Sequence, residues 1–228
     1  MSTLPLIFRG DRISALVVGG GQIALRKIQN LMEVGAHVTV IAPHVIPEIK
    51  EICHQNHYAR LLERMFCTGD TRLRRHHDPR KVAFNLVIAA TDDNATNKAI
   101  SAECQADGIP VNIVDVPELC TVYFAAVVRD EPLMISISTE GEAPFLARHM
   151  KHELNDFTKH WAPRVRWGST FRKWVKDQVS EFSQREKMLG TFLEVSDGEL
   201  ATWDIENPPL SLWEGWAAQL NIQLKKTT

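Results

Sequence analysis

The sequence predicts an α/β protein: a parallel-sheet domain of repeated strand-helix-strand units, then a β-hairpin region, then a helical carboxyl-terminal stretch. Three observations carry this. The apolar run Ala15-Leu16-Val17-Val18 passes through Gly19-Gly20-Gly21 into a helical segment close to the amino terminus. Further apolar runs of strand length recur at residues 37–42, 84–90 and 110–114, separated by helix-length segments, which is the pattern of parallel crossovers. Beyond residue 150 no such run recurs, and all six tryptophans fall in that last third.

The first unit is the most informative. Gly19 permits a tight turn, Gly21 lets the backbone approach a pyrophosphate, and Ala24 supplies the third small residue that lets a helix pack on a strand. Helix-start N–H groups around Gly20, Gln22 and Ile23 then face an anion. Gly35-Ala36 ends the helix where a carboxyl-terminal glycine is expected, and His37-Val38-Thr39-Val40-Ile41-Ala42 returns as a second strand. This is a Rossmann-type βαβ unit, although the same turn also occurs for packing alone. The second strand runs into Ala42-Pro43-His44 rather than the Asp or Glu that accepts hydrogen bonds from an adenosine ribose, so NAD and NADP both stay open.

Residues 46–57 read as a short helix and 59–66 as an edge strand. The run Arg72-Leu73-Arg74-Arg75-His76-His77-Asp78-Pro79-Arg80 reads as a solvated connection. Residues 84–90 form a fully buried parallel strand, and Thr91-Asp92-Asp93-Asn94 opens the next helix with several capping candidates. Ligands in such sheets sit beyond the carboxyl ends of strands, which makes Thr91 and Asp92 a second cofactor-contacting loop. A helix over 95–106 ends at Asp107-Gly108, and the strand at 110–114 delivers Asp115 just past its end. A carboxylate there can take a proton beside hydride transfer, or it can merely form the turn before Pro117.

Residues 123–129 and 133–139 bracket Asp130-Glu131-Pro132 and read as an antiparallel hairpin. Pro144 then opens a helix bearing Arg148 and Lys151 near its start. The tryptophan-rich remainder reads as a packing core or subunit interface.

With 228 residues, 44% of them hydrophobic, the chain can bury a substantial core. Its 26 basic and 28 acidic residues give a net charge of -2, which argues against nucleic acid as partner. Four cysteines without a C-x-x-C pair suggest neither a zinc site nor a disulfide framework, and a reducing cytoplasm is expected. The start Met1-Ser2-Thr3-Leu4-Pro5 is unlike a secretory leader, and no apolar stretch is long enough to span a membrane.

Several segments together carry a family resemblance: Leu4-Pro5-Leu6-Ile7-Phe8, the glycine turn with Ala24-x-Arg26-Lys27, Ala89-Ala90-Thr91-Asp92-Asp93, and Asn112-Ile113-Val114-Asp115. To these is added the run from Leu133 to Arg148 containing Ser138-Thr139-x-Gly141-x-Ala143-Pro144. In this order, over about residues 4–153, the chain resembles the precorrin-2 dehydrogenases of sirohaem biosynthesis, whose relatives include a dehydrogenase/ferrochelatase and the amino-terminal module of sirohaem synthase. It departs from the family pattern at Val122 and Ala125, where Phe and Pro are usual.

The resemblance implies oxidation of precorrin-2 to sirohydrochlorin with NAD as cofactor, and in some members insertion of Fe2+ into sirohydrochlorin. It implies a homodimer built from a Rossmann domain (1–115), a small α+β dimerisation region with the hairpin (116–150) and a helical domain (151–228). By position, Asp115 is the catalytic aspartate, and Thr139 falls where some relatives carry a phosphorylatable serine. Gly19, Gly20, Gly21, Gln22, Ile23, Ala24, Ala42, Pro43, Thr91, Asp92 and Asn112 are the expected cofactor contacts. Arg129, Thr139, Arg148 and Lys151 are the expected contacts to a substrate with eight carboxylates. No resident metal is expected. His149 and His152 share a helical face and are candidates for delivering iron, against a plain surface role. The competing reading is a non-catalytic, NAD-sensing regulatory protein.

Overall fold

The computed structural model of the chain describes residues 3–73 and 84–225. The part of the basic connection at 74–80 lies outside the described residues. Contacts separate two compact units, one covering Thr3–Phe124 and one beginning at Ala125.

The first unit is a five-stranded parallel sheet in the order β3-β2-β1-β4-β5, with β1 Ser14–Val18, β2 His37–Ala42, β3 Ala59–Glu63, β4 Leu86–Ala89 and β5 Val111–Ile113. It is the Rossmann-like α/β arrangement that the strand and helix runs predict. Every residue of β1 is buried, as a central parallel strand covered on both faces requires. Alternation divides its side chains. Ala15 and Val17 join α1 (Gln22–Glu33) and α2 (Pro47–Gln55) through Ile28 and Ile49, while Leu16 and Val18 meet Ile100 of α3 (Asn94–Ala106) on the other face. Leu16, Ile28, Ile49 and Ile100 are all fully buried, each worth about 1.5–3 kcal/mol of transfer free energy.

Helix α1 stops because Gly35 takes a left-handed φ of 76°, which turns the Ala36 amide back onto the Leu31 carbonyl at 3.0 Å. From β1 the chain crosses to β2 and β3 on one side and later to β4 and β5 on the other. The strand order therefore reverses beside β1, where such sheets open a crevice. In the connection before β4, Arg64 grips Asp70 with both terminal nitrogens at 2.6 and 2.7 Å, and Arg72 pairs with Asp107.

The second unit opens with an antiparallel hairpin, β6 Ala126–Asp130 and β7 Leu133–Ile137, as its sequence predicts. Next comes α4, Pro144–Gln178, a single helix of 35 residues that continues through Pro163. The expected boundary at 150/151 falls inside it. No glycine or capping signal interrupts the sequence there, so the helix that starts at Pro144 has no local reason to stop. Three helices follow: α5 Phe182–Leu193, α6 Asp197–Leu200 and α7 Leu210–Gln219.

Phe171 is fully buried at the centre of this helical core. Ring centroids of Trp213, Trp216, Phe192 and Trp174 lie 5.1, 5.5, 5.6 and 6.1 Å away. Five of the six tryptophans pack into it and Trp161 does not, so the aromatic richness of the last third is mainly internal packing. All four cysteines are free thiols. Among the described residues, no helix is long and apolar enough to cross a membrane.

Candidate functional site

The three glycines do different work. Gly19 has φ 133°, and a Cβ there would lie 2.2 Å from the Ala90 carbonyl oxygen at the end of β4. A Cβ on Gly20 would lie 2.0 Å from the His44 carbonyl oxygen, and the Ile46 amide donates to the Gly20 carbonyl at 2.9 Å. Both positions are glycine because neighbouring strand ends press on them. Gly21 differs, since a Cβ there would meet nothing within 4 Å. The protein's own packing does not require this glycine.

Gly21 is also the N-cap of α1, no side chain caps that end, and no acid occupies the first turn. Uncapped amides therefore face an open space where a Cβ would stand, an arrangement that fits the pyrophosphate of a dinucleotide. Gln22 and Ile23 are exposed at this end, while Ala24 is fully buried against the sheet as the third small residue. Across β1, Ala42 is buried and Pro43 exposed. The acid level with Ala42 is Glu63 on β3, which binds Lys50 at 2.7 Å.

On the other side of β1, beyond β4 and β5, lies a cleft of about 510 Å³ whose walls include Ile23, Thr91, Asp92, Asn97 and Asp115. Of the two capping candidates, Asp93 caps α3, accepting from the Ala95 and Thr96 amides at 3.1 and 3.3 Å. The Thr96 hydroxyl, and next the Ala95 amide, hold its carboxyl below the usual range. Asp92 is left at the cleft. Thr91 is fixed by Asn97, whose side chain both accepts from the Thr91 hydroxyl and donates to the Thr91 carbonyl.

Asp115 follows β5 by two residues with φ 59°, a left-handed conformation that Asp tolerates better than most side chains. It is exposed, and its carboxylate takes no hydrogen bond among the described residues. The lining also contains Glu118 and Lys98, which makes three carboxylates to one ammonium. Asn112 does not reach this lining: its buried amide donates to the Val122 carbonyl at 3.0 Å. It holds the segment after Asp115.

The expected substrate contacts lie in the second unit. Arg129 is exposed on β6 with Nη2 3.1 Å from Met134 Sδ, and Arg148 and Lys151 are exposed in the first turns of α4. The Thr139 hydroxyl accepts from the Ala143 amide at 3.2 Å, bracing the turn before α4. His149 faces Glu153 at 3.5 Å. Among the described residues, no group of three or more His, Cys, Asp or Glu could hold a metal ion.

Sequence reasoning gave no site role to Asn97, Lys98, Glu118 or Lys27, although Lys27 stands in the motif that carries the resemblance. Lys27 alone had a legible signal, because it stands four residues after Ile23 on the same helical face.

Residues 6–126 match a family model described as "Putative NAD(P)-binding". The chain is 38% identical over 186 residues to a siroheme synthase of Pseudomonas paraeruginosa, covering 81% of this chain and 38% of that protein. It is 33% identical over 202 residues to one of Methylococcus capsulatus, covering 88% and 40%. The chain thus spans about two fifths of the length of these curated relatives. A solved structure titled "SirC, precorrin-2 dehydrogenase" shares the fold, with TM-score 0.71 and 21% identity over 96% of this chain and 99% of that one.

Proposed function

This chain belongs to the NAD(P)-binding family matched over residues 6–126, that of the sirohaem-pathway dehydrogenases it resembles, and from that premise we propose that it oxidises precorrin-2 to sirohydrochlorin with NAD+. The observation that carries the reading is an exposed Asp115 in a left-handed turn that lines the same cleft as Ile23 of the first turn of α1, the helix whose N-cap is the unobstructed Gly21.

When bound, the nicotinamide supplies the hydride acceptor for the reduced macrocycle. The chain supplies the rest. Uncapped amides at the start of α1 hold the pyrophosphate, with Gly20, Gln22, Ile23 and Ala24 shaping that end and Ala42 and Pro43 flanking the adenosine ribose. Thr91 and Asp92 border the nicotinamide side, and Asn112 acts there through the segment it braces. Asp115 accepts the proton that leaves the macrocycle as the hydride departs, so two electrons and two hydrogens are removed in balance.

The cleft is acidic, so it suits the cationic pyridinium ring better than a macrocycle with eight carboxylates. In this reading the substrate's carboxylates are met instead by Arg129, Arg148 and Lys151, with Thr139 shaping the turn before them. The protein acts in the cytoplasm as a homodimer in which residues 116–150 form the dimerisation region and 151–228 the helical domain. Insertion of Fe2+ into sirohydrochlorin is a further step that the same carboxylate would serve, by taking pyrrole protons as iron enters.

Absorbance spectra of the protein mixed with precorrin-2 and NAD+ or NADP+ test the proposal. Sirohydrochlorin formed faster with NAD+ is the expected result, and Fe2+ added afterwards tests chelation against the spontaneous rate. Folded dimer that binds nucleotide but forms no sirohydrochlorin would favour the sensing alternative.

A further inference from the structure

We propose that Lys98 is a substrate-anchoring residue: its ammonium, in the same cleft as Asp115, takes one carboxylate of the macrocycle and so holds a ring edge beside the proton acceptor. The inference rests on the dehydrogenase reading and deepens it.

Lys98 reaches the cleft from α3. Asn94, Asn97 and Lys98 all line it, and their spacing of three and four residues puts them on one face of that helix. Asn97 clasps Thr91 on this face. Ser101, one turn beyond Lys98, donates its hydroxyl to the Leu119 carbonyl at 2.7 Å. Leu119 belongs to the facing wall, which begins at Val114 and includes Asp115 and Glu118. The buried Ser101 hydroxyl therefore ties the two walls together one turn from Lys98, and Asp115 stands four residues before that tie.

Charge makes the position distinctive. Lys98 is exposed, and among the described residues no hydrogen bond or ion pair takes its ammonium. Asp92, Asp115 and Glu118 share the lining, yet none of the three comes close enough to pair with it. The ammonium carries three N–H donors on a flexible stem, which suits a carboxylate that a ligand brings in. Arg129, Arg148 and Lys151, which serve other carboxylates in this reading, are not part of the lining, so among the described residues Lys98 is its one cation. The three carboxylates repel an anion elsewhere in the cleft. Attraction at one point and repulsion around it restrict a polyanionic macrocycle to placements that put a carboxylate on Lys98.

Titration with sirohydrochlorin, followed by absorbance, reads this contact without turnover. Lys98 is exposed and Gln is a good helix former, so Lys98→Gln keeps α3 intact. It is expected to raise the dissociation constant about fivefold, Lys98→Glu about fiftyfold, and Lys98→Arg less than about twofold. In about 1 M salt the effect of Lys98→Gln is expected to shrink below about twofold, because an exposed charge contact is screened. NAD+ affinity by calorimetry should stay within about twofold in Lys98→Gln, and kcat/KM for precorrin-2 should fall about fivefold.

Equal sirohydrochlorin affinity in Lys98→Gln, Lys98→Glu and the unaltered protein would overturn the anchor. So would a loss that high salt leaves unchanged or that NAD+ shares equally, since a displaced helix and not a missing charge would then be its cause. Absence of precorrin-2 turnover in the unaltered protein would remove the dehydrogenase reading and the anchor with it. Normal turnover with equal kcat/KM in Lys98→Gln would remove the anchor alone.

Discussion

Thr91 and Asn97 hold each other by two hydrogen bonds, the Thr91 hydroxyl donating to Asn97 Oδ1 at 2.8 Å and Asn97 Nδ2 donating to the Thr91 carbonyl at 3.0 Å. The pair fixes the turn between β4 and α3, which forms one wall of the cleft. Asn97 is buried, so its removal leaves the Thr91 carbonyl without its partner and the Thr91 hydroxyl with only the Asp93 carbonyl at 3.3 Å. Asn97→Ala is expected to cost about 1–3 kcal/mol in urea unfolding, and to weaken NAD+ binding measured by calorimetry. Unchanged stability and affinity together would show that the turn holds without the clasp.

The glycine turn separates folding from binding. Gly19→Ala and Gly20→Ala each press a methyl group onto a backbone carbonyl, and each is expected to destabilise the chain by about 3 kcal/mol. Gly21→Ala meets open space, so stability should stay within about 0.5 kcal/mol while NAD+ affinity falls about tenfold or more. Unfolding curves and calorimetry on the three variants check this. Retained affinity in Gly21→Ala would place the nucleotide elsewhere.

Asp115 permits a similar separation. Asn tolerates the left-handed turn, so Asp115→Asn should fold with stability within about 0.5 kcal/mol of the unaltered protein, whereas Asp115→Ala costs about 1 kcal/mol of backbone strain. Turnover in Asp115→Asn is expected to fall about a hundredfold or more, with nucleotide affinity retained. Full activity in that variant would end the proton-acceptor role.

Acid sensitivity should trace in part to Asp70. Burial alone would raise its carboxyl, but the Arg64 side chain, then the Cys67 amide, outweigh burial and hold it below its ordinary value of 3.8. A depressed folded value means stability that is present above pH 3.8 and is lost as pH falls through the folded value. Unfolding measured from neutral pH down to about pH 2 should therefore show a steeper acid loss in the unaltered protein than in Asp70→Asn, which starts less stable and loses less. Parallel curves would show that this pair does not contribute to the acid response.

Legibility in the sequence followed the range of the interactions involved. Ala15 to Val18 is apolar on both faces, so a central parallel strand could be read locally, and Gly35 announces the end of α1 by its own conformational freedom. The candidate site was partly legible for the same reason: Gly21 and Asp115 stand directly after strands, and strand ends can be found from the runs before them. Asn112 was not legible, because its amide is directed by a carbonyl on a loop whose path no local pattern gives. The choice of Asp93 over Asp92 as the cap of α3 was decided by which one could reach the Ala95 and Thr96 amides.

By itself, the sequence determined the elements of the first unit, their parallel pairing, the turn at Gly19-Gly20-Gly21 and the hairpin of the second unit. All of these depend on periodicity, glycine and apolar runs, which act over a few residues. Tertiary structure alone decided that Gly19 and Gly20 serve packing while Gly21 is left open, and that Lys27 lies against Phe124. These depend on which distant groups a residue meets, and only the completed sheet and helical core fix that.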